Sequence, residues 1–279
     1  MTTRACVIGW PIEHSRSPLI HGHWLAKHGI DGAYTKQEVE PGNLDHFLSS
    51  MREQGFAGAN VTVPHKEQAL VLADHADDAA RAIGAANTLW LEDGRLQASN
   101  TDAYGFLKNL DQEAPGWDTL SKSALVLGAG GAARAVLFGL LSRSFDDIRL
   151  ANRTRERAES LAGHFDGPIH LVDWEQRSER VAGCGLIVNT TSLGMTGSPP
   201  LEIDLTGASV DAVITDLVYV PLKTKLLEQA EARGLRTVDG LGMLLHQAEP
   251  GFEKWFGIRP EVTQELRDLI VANLLEEQC

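Results

Sequence analysis

SALVLGAGGAARAVLFGLL, residues Ser123–Leu141, is the stretch that decides the fold. It opens as an apolar run of strand length, turns through glycines, and closes on helix-forming Ala, Val and Leu. Gly128, Gly130 and Ala133 have the G-x-G-x-x-[G/A] spacing of a dinucleotide-binding turn. Gly128 permits the tight turn and Gly130 lets a backbone approach a pyrophosphate. The helix beginning near Gly131 presents unpaired N–H groups and the positive end of its dipole. A merely glycine-rich strand–helix turn would share the spacing; the strand before it and the helix after it favour dinucleotide binding.

The end of the next strand indicates which dinucleotide. A carboxylate there would hydrogen-bond the ribose hydroxyls of NAD and repel a 2'-phosphate. This chain has Asn152-Arg153-Thr154, with Arg157 one helical turn beyond Arg153. Either arginine alone reads as a solvated residue at a helix start. Two guanidiniums together can clamp a phosphate through charge-assisted bonds, so NADP is the expected cofactor.

Working outward, strand and helix alternate on both sides. Thr3–Ile8, Tyr34–Val39 and Gly58–Val63 read as strands, and residues 18–28, 44–54 and 66–82 as helices. Residues 87–91 and 96–99 form an expected hairpin through Asp93-Gly94. After the Pro115-Gly116 break, strands are expected at 124–127, 147–151, 186–190 and 212–216, with helices over 243–277. The expected fold is α/β with two open-sheet domains, the second a Rossmann dinucleotide-binding domain, and a C-terminal helical segment packing back on the first. The expected boundaries are 1–103 for substrate binding and catalysis, 104–241 for NADP, and 242–279 for the returning helices.

The whole chain bounds the function. At 279 residues there is ample core for two domains, and 43% hydrophobic with 23% charged residues is ordinary for a globular protein. A net charge of -13 argues against a surface for nucleic acid or anionic membrane. Cys6, Cys184 and Cys279 lack any C-x-x-C spacing and the ten histidines contain no H-E-x-x-H, so neither a disulfide framework nor a metal site is expected. The chain starts without a targeting signal and has no bilayer-length apolar run; cytoplasmic location, as monomer or homodimer, is expected.

The first domain carries the substrate candidates. His14-Ser15-Arg16-Ser17-Pro18 puts two hydroxyls, on Ser15 and Ser17, on one side of a segment that Pro18 biases toward extended geometry, at the start of a helix suited to a carboxylate. Ser17 reads equally well as an N-cap and Ser15 as a turn residue. In Asn60-Val61-Thr62-Val63-Pro64-His65-Lys66 the polar residues alternate with valines, delivering Asn60 and Thr62 to one face and Lys66 beyond the strand end. Asn87-Thr88 and Asn100-Thr101-Asp102 place further polar groups where plain core would be apolar; such groups pair with ring hydroxyls without net charge. Lys66 and Asp102 are the candidates for moving the proton of a secondary alcohol as hydride leaves. A structural ion pair, or no contact, fits the same two residues.

The motifs HSRSP, NVTVPHK, GAANT, NTD, GAGGAAR, NRT, NTT and DGLGM occur in the order and spacing of the shikimate dehydrogenases, which the chain resembles over nearly its whole length. The resemblance implies NADPH-dependent reduction of 3-dehydroshikimate to shikimate in aromatic amino-acid and chorismate biosynthesis, with Lys66 and Asp102 as the catalytic pair. It implies that Ser15 and Ser17 hold the substrate carboxylate and that Thr62, Asn87, Tyr219 and Gln247 line the ring-hydroxyl site. It assigns Gly128, Ala129, Gly130, Gly131, Ala132, Asn152, Arg153, Thr154, Arg157, Leu217 and Gly240 to the cofactor, with Asp78 near its nicotinamide end. Two positions depart from the family pattern. Ala103 stands where glycine is usual, which matters if that position needs a positive φ, and Leu217 where methionine is common.

Alternatives within the family are quinate or an amino-substituted ring as substrate; Ser17 favours shikimate, since the quinate-using branch often carries Thr there. A non-catalytic NADP-binding relative is disfavoured by retention of both Lys66 and Asp102. An aldehyde-acting enzyme of the same fold is disfavoured by the absence of cysteine from these motifs.

Overall fold

A computed structural model describes residues 2–276; Glu277, at the end of the expected helical tail, and Cys279 lie outside the described residues. The chain divides into two compact units, Met1–Asp102 with Leu245–Cys279, and Ala103–Leu244.

The first unit is built on a six-stranded sheet of β1 (Thr3–Gly9), β2 (Gly32–Glu38), β3 (Phe56–Val61), β4 (His75–Ala76), β5 (Thr88–Glu92) and β6 (Arg95–Ser99). Their order is β2-β1-β3-β5-β6-β4. The pairs β1–β2, β1–β3 and β4–β6 are parallel, whereas β3–β5 and β5–β6 are antiparallel. The β5–β6 hairpin turns through Asp93 and Gly94, with φ of 51° and 78°, as the Asp-Gly pair leads one to expect. Helices α1 (Ser17–Lys27), α2 (Leu44–Ser50) and α3 (Lys66–Leu72) connect strands of the same direction, and α4 (Asp78–Ile83) leads from β4 into the oppositely directed β5.

The expected single helix over 66–82 is two helices with β4 between them. Aspartates cause the break, because a short carboxylate competes for backbone donors. Asp74 accepts the Leu96 N–H at 2.7 Å, and Asp77 caps α4 by accepting the Ala80 N–H at 2.8 Å while binding the Ser99 hydroxyl. His75–Ala76 is thereby laid against Gln97–Ala98.

Helix α5 (Asp102–Glu113) leads into the second unit. Its six strands are β7 (Ser123–Leu127), β8 (Asp147–Ala151), β9 (Ile169–Val172), β10 (Leu186–Asn189), β11 (Val213–Asp216) and β12 (Arg236–Val238). All pair in parallel, in the order β12-β11-β10-β7-β8-β9. This is the doubly wound order of a dinucleotide fold, whose switch point falls between β7 and β10. Strands β9 and β12, absent from the expectation, are the short edge strands. Side-chain alternation distributes the core: Ala124 and Val126 join one buried cluster with Leu186 and Val188, while Leu125 and Leu127 join the other with Ile187 and Ile214. Helices α6 (Gly131–Ser142), α7 (Arg155–Ala162) and α8 (Lys225–Ala232) cover the faces.

The chain then runs through α9 (Leu241–His246), α10 (Ala248–Phe256) and α11 (Gln264–Glu276), of which α10 and α11 pack on the first unit. Trp255 Nε1 donates to the Leu89 carbonyl at 2.9 Å, and Trp24 Nε1 to that of Glu261 at 3.1 Å. Among the described residues no helix is long and apolar enough to cross a membrane.

Candidate active site

Lys66 begins α3 and Asp102 begins α5, so each sits at a strand-to-helix transition of the first unit. Their side chains meet: Lys66 Nζ lies 2.6 Å from Asp102 Oδ2, with side-chain exposures of 29% and 15%. Partial burial leaves the pair reachable by a small ligand while shielding it from bulk screening. Asp102 Oδ1 accepts from Asn87 Nδ2 at 2.7 Å, and the same amide lies 3.4 Å from Gln247 Oε1. Lys66, Asn87, Asp102 and Gln247, far apart in sequence, form one cluster. A carboxylate held by an ammonium and an amide, at a helix N-terminus that favours its charge, can pass a proton to or from a hydroxyl through the lysine.

The expected hydroxyl residues lie in the same unit, with one change of role. The N-cap of α1 is Arg16, and Ser17 is the first helical residue, with no side-chain cap bond. Ser17 therefore does not cap the helix, which starts one residue earlier than expected with Pro18 in its first turn. Ser15 Oγ accepts the Ser17 N–H at 3.3 Å, a turn contact. Thr62 lies just past β3, half-buried, its N–H bonded to the Ile8 carbonyl at 2.9 Å and its hydroxyl without a partner among the described residues. Asn60 does not share that openness. It is buried, its two amide hydrogens go to the Asn87 carbonyl and Thr88 Oγ1, both at 3.2 Å, and its Oδ1 accepts from the Tyr34 hydroxyl at 2.6 Å. A direct substrate contact from Asn60 gives way to an internal role, because Tyr34 of β2 reaches across and occupies it.

Below this network lies His21, whose ring stacks on Tyr34 with centroids 3.9 Å apart. Burial among aromatic rings pushes its pKa down to about 3, so it is neutral at physiological pH. Burial likewise raises the Tyr34 phenol well above its ordinary value, keeping it a donor.

In the second unit the glycine turn joins β7 to α6. Gly128 has φ of +112°, and a Cβ there would stand 2.5 Å from Thr190 Oγ1. Only glycine suits this turn, for conformation and for space. Gly130 differs: it is exposed, caps α6, and a Cβ there would meet nothing within 4 Å. The open volume in front of Gly130, Gly131 and the half-buried Ala132 is a cradle that a phosphate group fits. Asn152 Oδ1 accepts the Ala129 N–H at 3.2 Å, and Asn152 Nδ2 donates to the Thr154 carbonyl at 2.7 Å, linking this turn to the end of β8. Thr154 is the N-cap position of α7. Arg155 is tied to Glu159 and Asp173, whereas Arg153 and Arg157 are exposed and make no side-chain hydrogen bond among the described residues.

Gly240 is buried, and a Cβ on it would collide with the Leu217 carbonyl, so these two residues pack backbone to backbone beyond β11 and β12. The Leu217 N–H bonds the Asn189 carbonyl at 3.0 Å. Since the contact uses main chain, leucine in place of methionine is accommodated. Tyr219 follows in the second unit. Asp78 lies in the first unit, paired at 2.7 Å with Arg81 and 98% exposed, outside the cluster around Lys66. Ala103 is an ordinary helical residue of α5 and is not among the positive-φ positions, so the departure from glycine strains nothing.

Two groups were missed in the sequence. Asp216 is buried at the end of β11, accepting from Thr224 Oγ1 at 2.7 Å, Asn189 Nδ2 at 2.9 Å and the Val218 N–H at 3.0 Å. Burial raises its pKa to about 6 against those three donors. Thr190 caps the β7 end by donating to the Leu127 carbonyl at 2.8 Å. The polar run Asn189-Thr190-Thr191 directly after an apolar strand was the available signal.

Comparison with known proteins matches residues 7–89 to the shikimate dehydrogenase substrate binding domain, 111–195 to the shikimate / quinate 5-dehydrogenase family, and 240–264 to the shikimate 5'-dehydrogenase C-terminal domain. The chain is 58% identical over 271 residues to a shikimate dehydrogenase (NADP(+)) of Azorhizobium caulinodans, covering 97% of this chain and 96% of the relative. Among solved structures, a Thermus thermophilus shikimate 5-dehydrogenase in complex with NADP(H) and shikimate is 34% identical, with TM-score 0.83 and 99% of each chain covered. A quinate dehydrogenase from Corynebacterium glutamicum in complex with NAD is 28% identical, with TM-score 0.89, covering 97% of this chain and 99% of that one.

Proposed function

The chain belongs to the shikimate dehydrogenase family, and from that premise we propose how its residues carry out the reversible, NADPH-dependent reduction of 3-dehydroshikimate to shikimate in aromatic biosynthesis. The observation that carries the reading is the Lys66–Asp102 pair at 2.6 Å with Asn87 on the second carboxylate oxygen. In the reducing direction Lys66 delivers a proton to the oxygen that becomes the new hydroxyl, and Asp102 holds the lysine in place and accepts a hydrogen bond from the substrate. In the oxidising direction the same pair removes that proton. Ser15 and Ser17 hold the ring carboxylate, and Thr62, Asn87, Tyr219 and Gln247 the ring hydroxyls. Neutral donors and acceptors around the ring orient it without competing with the Lys66 charge.

The cofactor fits the second unit. Gly128–Ala132 receive the pyrophosphate, Asn152 and Thr154 the ribose, Arg153 and Arg157 the 2'-phosphate, and Leu217 and Gly240 the far end, toward which Asp78 is also assigned. NADPH supplies the hydride. The protein works in the cytoplasm as a monomer or homodimer.

The test is NADPH absorbance with shikimate and NADP, then with quinate, for the parent and Lys66→Ala. The expected result is turnover of shikimate in preference to quinate, with kcat of Lys66→Ala lower by about 10²- to 10⁴-fold and NADP affinity unchanged. A Lys66→Ala enzyme of near-normal kcat overturns the proton-transfer assignment; preference for quinate overturns the substrate.

A further inference from the structure

An asparagine amide has two ends of nearly equal shape and opposite hydrogen-bonding sense, so something must decide which end of Asn87 faces Asp102. Reversal would set its carbonyl against a carboxylate. Two donors hold the productive orientation by binding Asn87 Oδ1: the Thr101 N–H at 2.8 Å and the Thr88 hydroxyl at 3.0 Å. The Thr101 hydroxyl lies closer to the Gln247 carbonyl, at 2.7 Å, than to Asn87 Oδ1, at 3.1 Å.

Thr88 has one proton to give, and its direction is set from the other side. Asn60 Nδ2 donates to Thr88 Oγ1 at 3.2 Å, which leaves the threonine proton to Asn87 Oδ1 at 3.0 Å or Thr101 Oγ1 at 3.2 Å, Asn87 being the nearer. Asn60 is oriented in turn by the Tyr34 hydroxyl on its Oδ1 and by the Asn87 carbonyl on its other N–H. Every member from Tyr34 to Thr101 is buried, with exposures of 8% for Tyr34, 5% for Asn60, 2% for Asn87, 1% for Thr88 and 4% for Thr101. Water cannot substitute for a missing member at that depth, and a half-satisfied network loses its directionality.

We propose that Tyr34, Asn60 and Thr88 are positioning residues that act through Asn87, fixing its amide so that it donates to Asp102 and holds the carboxylate in line with Lys66. None of the three touches the reacting atoms. Their effect falls on the orientation of Asn87 toward Asp102, and so on kcat more than on KM, since all three are buried and reach the pair only through that amide. The inference rests on the reading of Lys66 and Asp102 as the proton-transfer pair.

The experiment compares Thr88→Val, Thr88→Ser and Tyr34→Phe with the parent in steady-state oxidation of shikimate by NADP, with circular dichroism and Tm as the measure of folding. Thr88→Val should lower kcat about tenfold, the size of one hydrogen bond, with KM for shikimate changed less than about twofold. Thr88→Ser, which keeps the hydroxyl, should return kcat to within about twofold of the parent. In an Asn87→Ala background Thr88→Val should cost nothing further, since the group it acts through is gone. Multiplied losses in that double mutant, equal losses in the Ser and Val variants, or folded variants with parental kcat overturn the proposal. If Thr88→Val is unfolded, Tyr34→Phe in both backgrounds answers to the same criteria, with a smaller loss expected. An inert parent overturns the functional reading and this inference together; an active parent whose variants behave additively overturns the inference alone.

Discussion

His21 makes the first unit sensitive to acid in a way that one substitution removes. Its folded pKa of about 3, against 6.5 for the free side chain, means that between these values the unfolded chain binds a proton that the folded chain refuses. Stability attributable to His21 is complete above the unfolded pKa and is lost as pH falls through the window toward 3. Linkage gives a loss of about 2 kcal/mol on going from pH 7.5 to pH 5. His21→Phe keeps an aromatic ring stacked with Tyr34 and Phe252 and edge-on to Trp24, and deletes the titration. The constant packing offset of the substitution drops out when the same pair of proteins is compared at two pH values. Urea unfolding followed by tryptophan fluorescence should therefore show the variant gaining about 2 kcal/mol on the parent between pH 7.5 and pH 5. A difference that does not change with pH would show that His21 is charged or solvated in the folded protein, and would refute the assignment of a dry aromatic pocket beneath Tyr34.

Asp216 has the opposite sign: its folded pKa is raised to about 6, so the penalty for its charge grows as pH rises from 3.8 through 6, and Asp216→Asn should gain about 1.4 kcal/mol on the parent on going from pH 5 to pH 7.5, measured by the same unfolding series. Gly130→Ala should leave Tm near the parental value, because its Cβ meets no protein atom, yet sharply weaken NADP in a fluorescence titration; Gly128→Ala should lower Tm as well. Arg153→Ala should weaken NADP far more than NAD, and equal losses for both cofactors would remove it from the 2'-phosphate.

The second unit was legible because its signals are local. A strand, a glycine turn and a helix within Ser123–Leu141 specify their own geometry, and the strand ending at Ala151 was placed to the residue. Strands β9 and β12 were not, since an edge strand of three or four residues is defined by its neighbour rather than by its own pattern. In the first unit, Lys66 and Asp102 could be nominated as proton-transfer groups but not brought together, because the contact depends on how α3 and α5 leave the sheet. The internal bonding of Asn60 is hidden in the sequence for a related reason. Alternation along β3 gives the face of a side chain, but not that Tyr34 reaches it from another strand. The split of residues 66–82 turned on Asp74 and Asp77, polar residues that look compatible with a helix surface until a strand partner is present.

The placement of Asn152 separates two properties that cofactor sites often entangle. Its amide braces the glycine turn on one side and the chain at Thr154 on the other, while the guanidiniums of Arg153 and Arg157 brace nothing. On the proposed assignment of Arg153 and Arg157 to the 2'-phosphate, exchanging them changes cofactor choice without loosening the glycine turn. Exchange of Asn152 has no such freedom: it removes both bonds that tie the turn to the end of β8. On that assignment, a change of nucleotide has an open route through positions 153 and 157 and a closed one through 152.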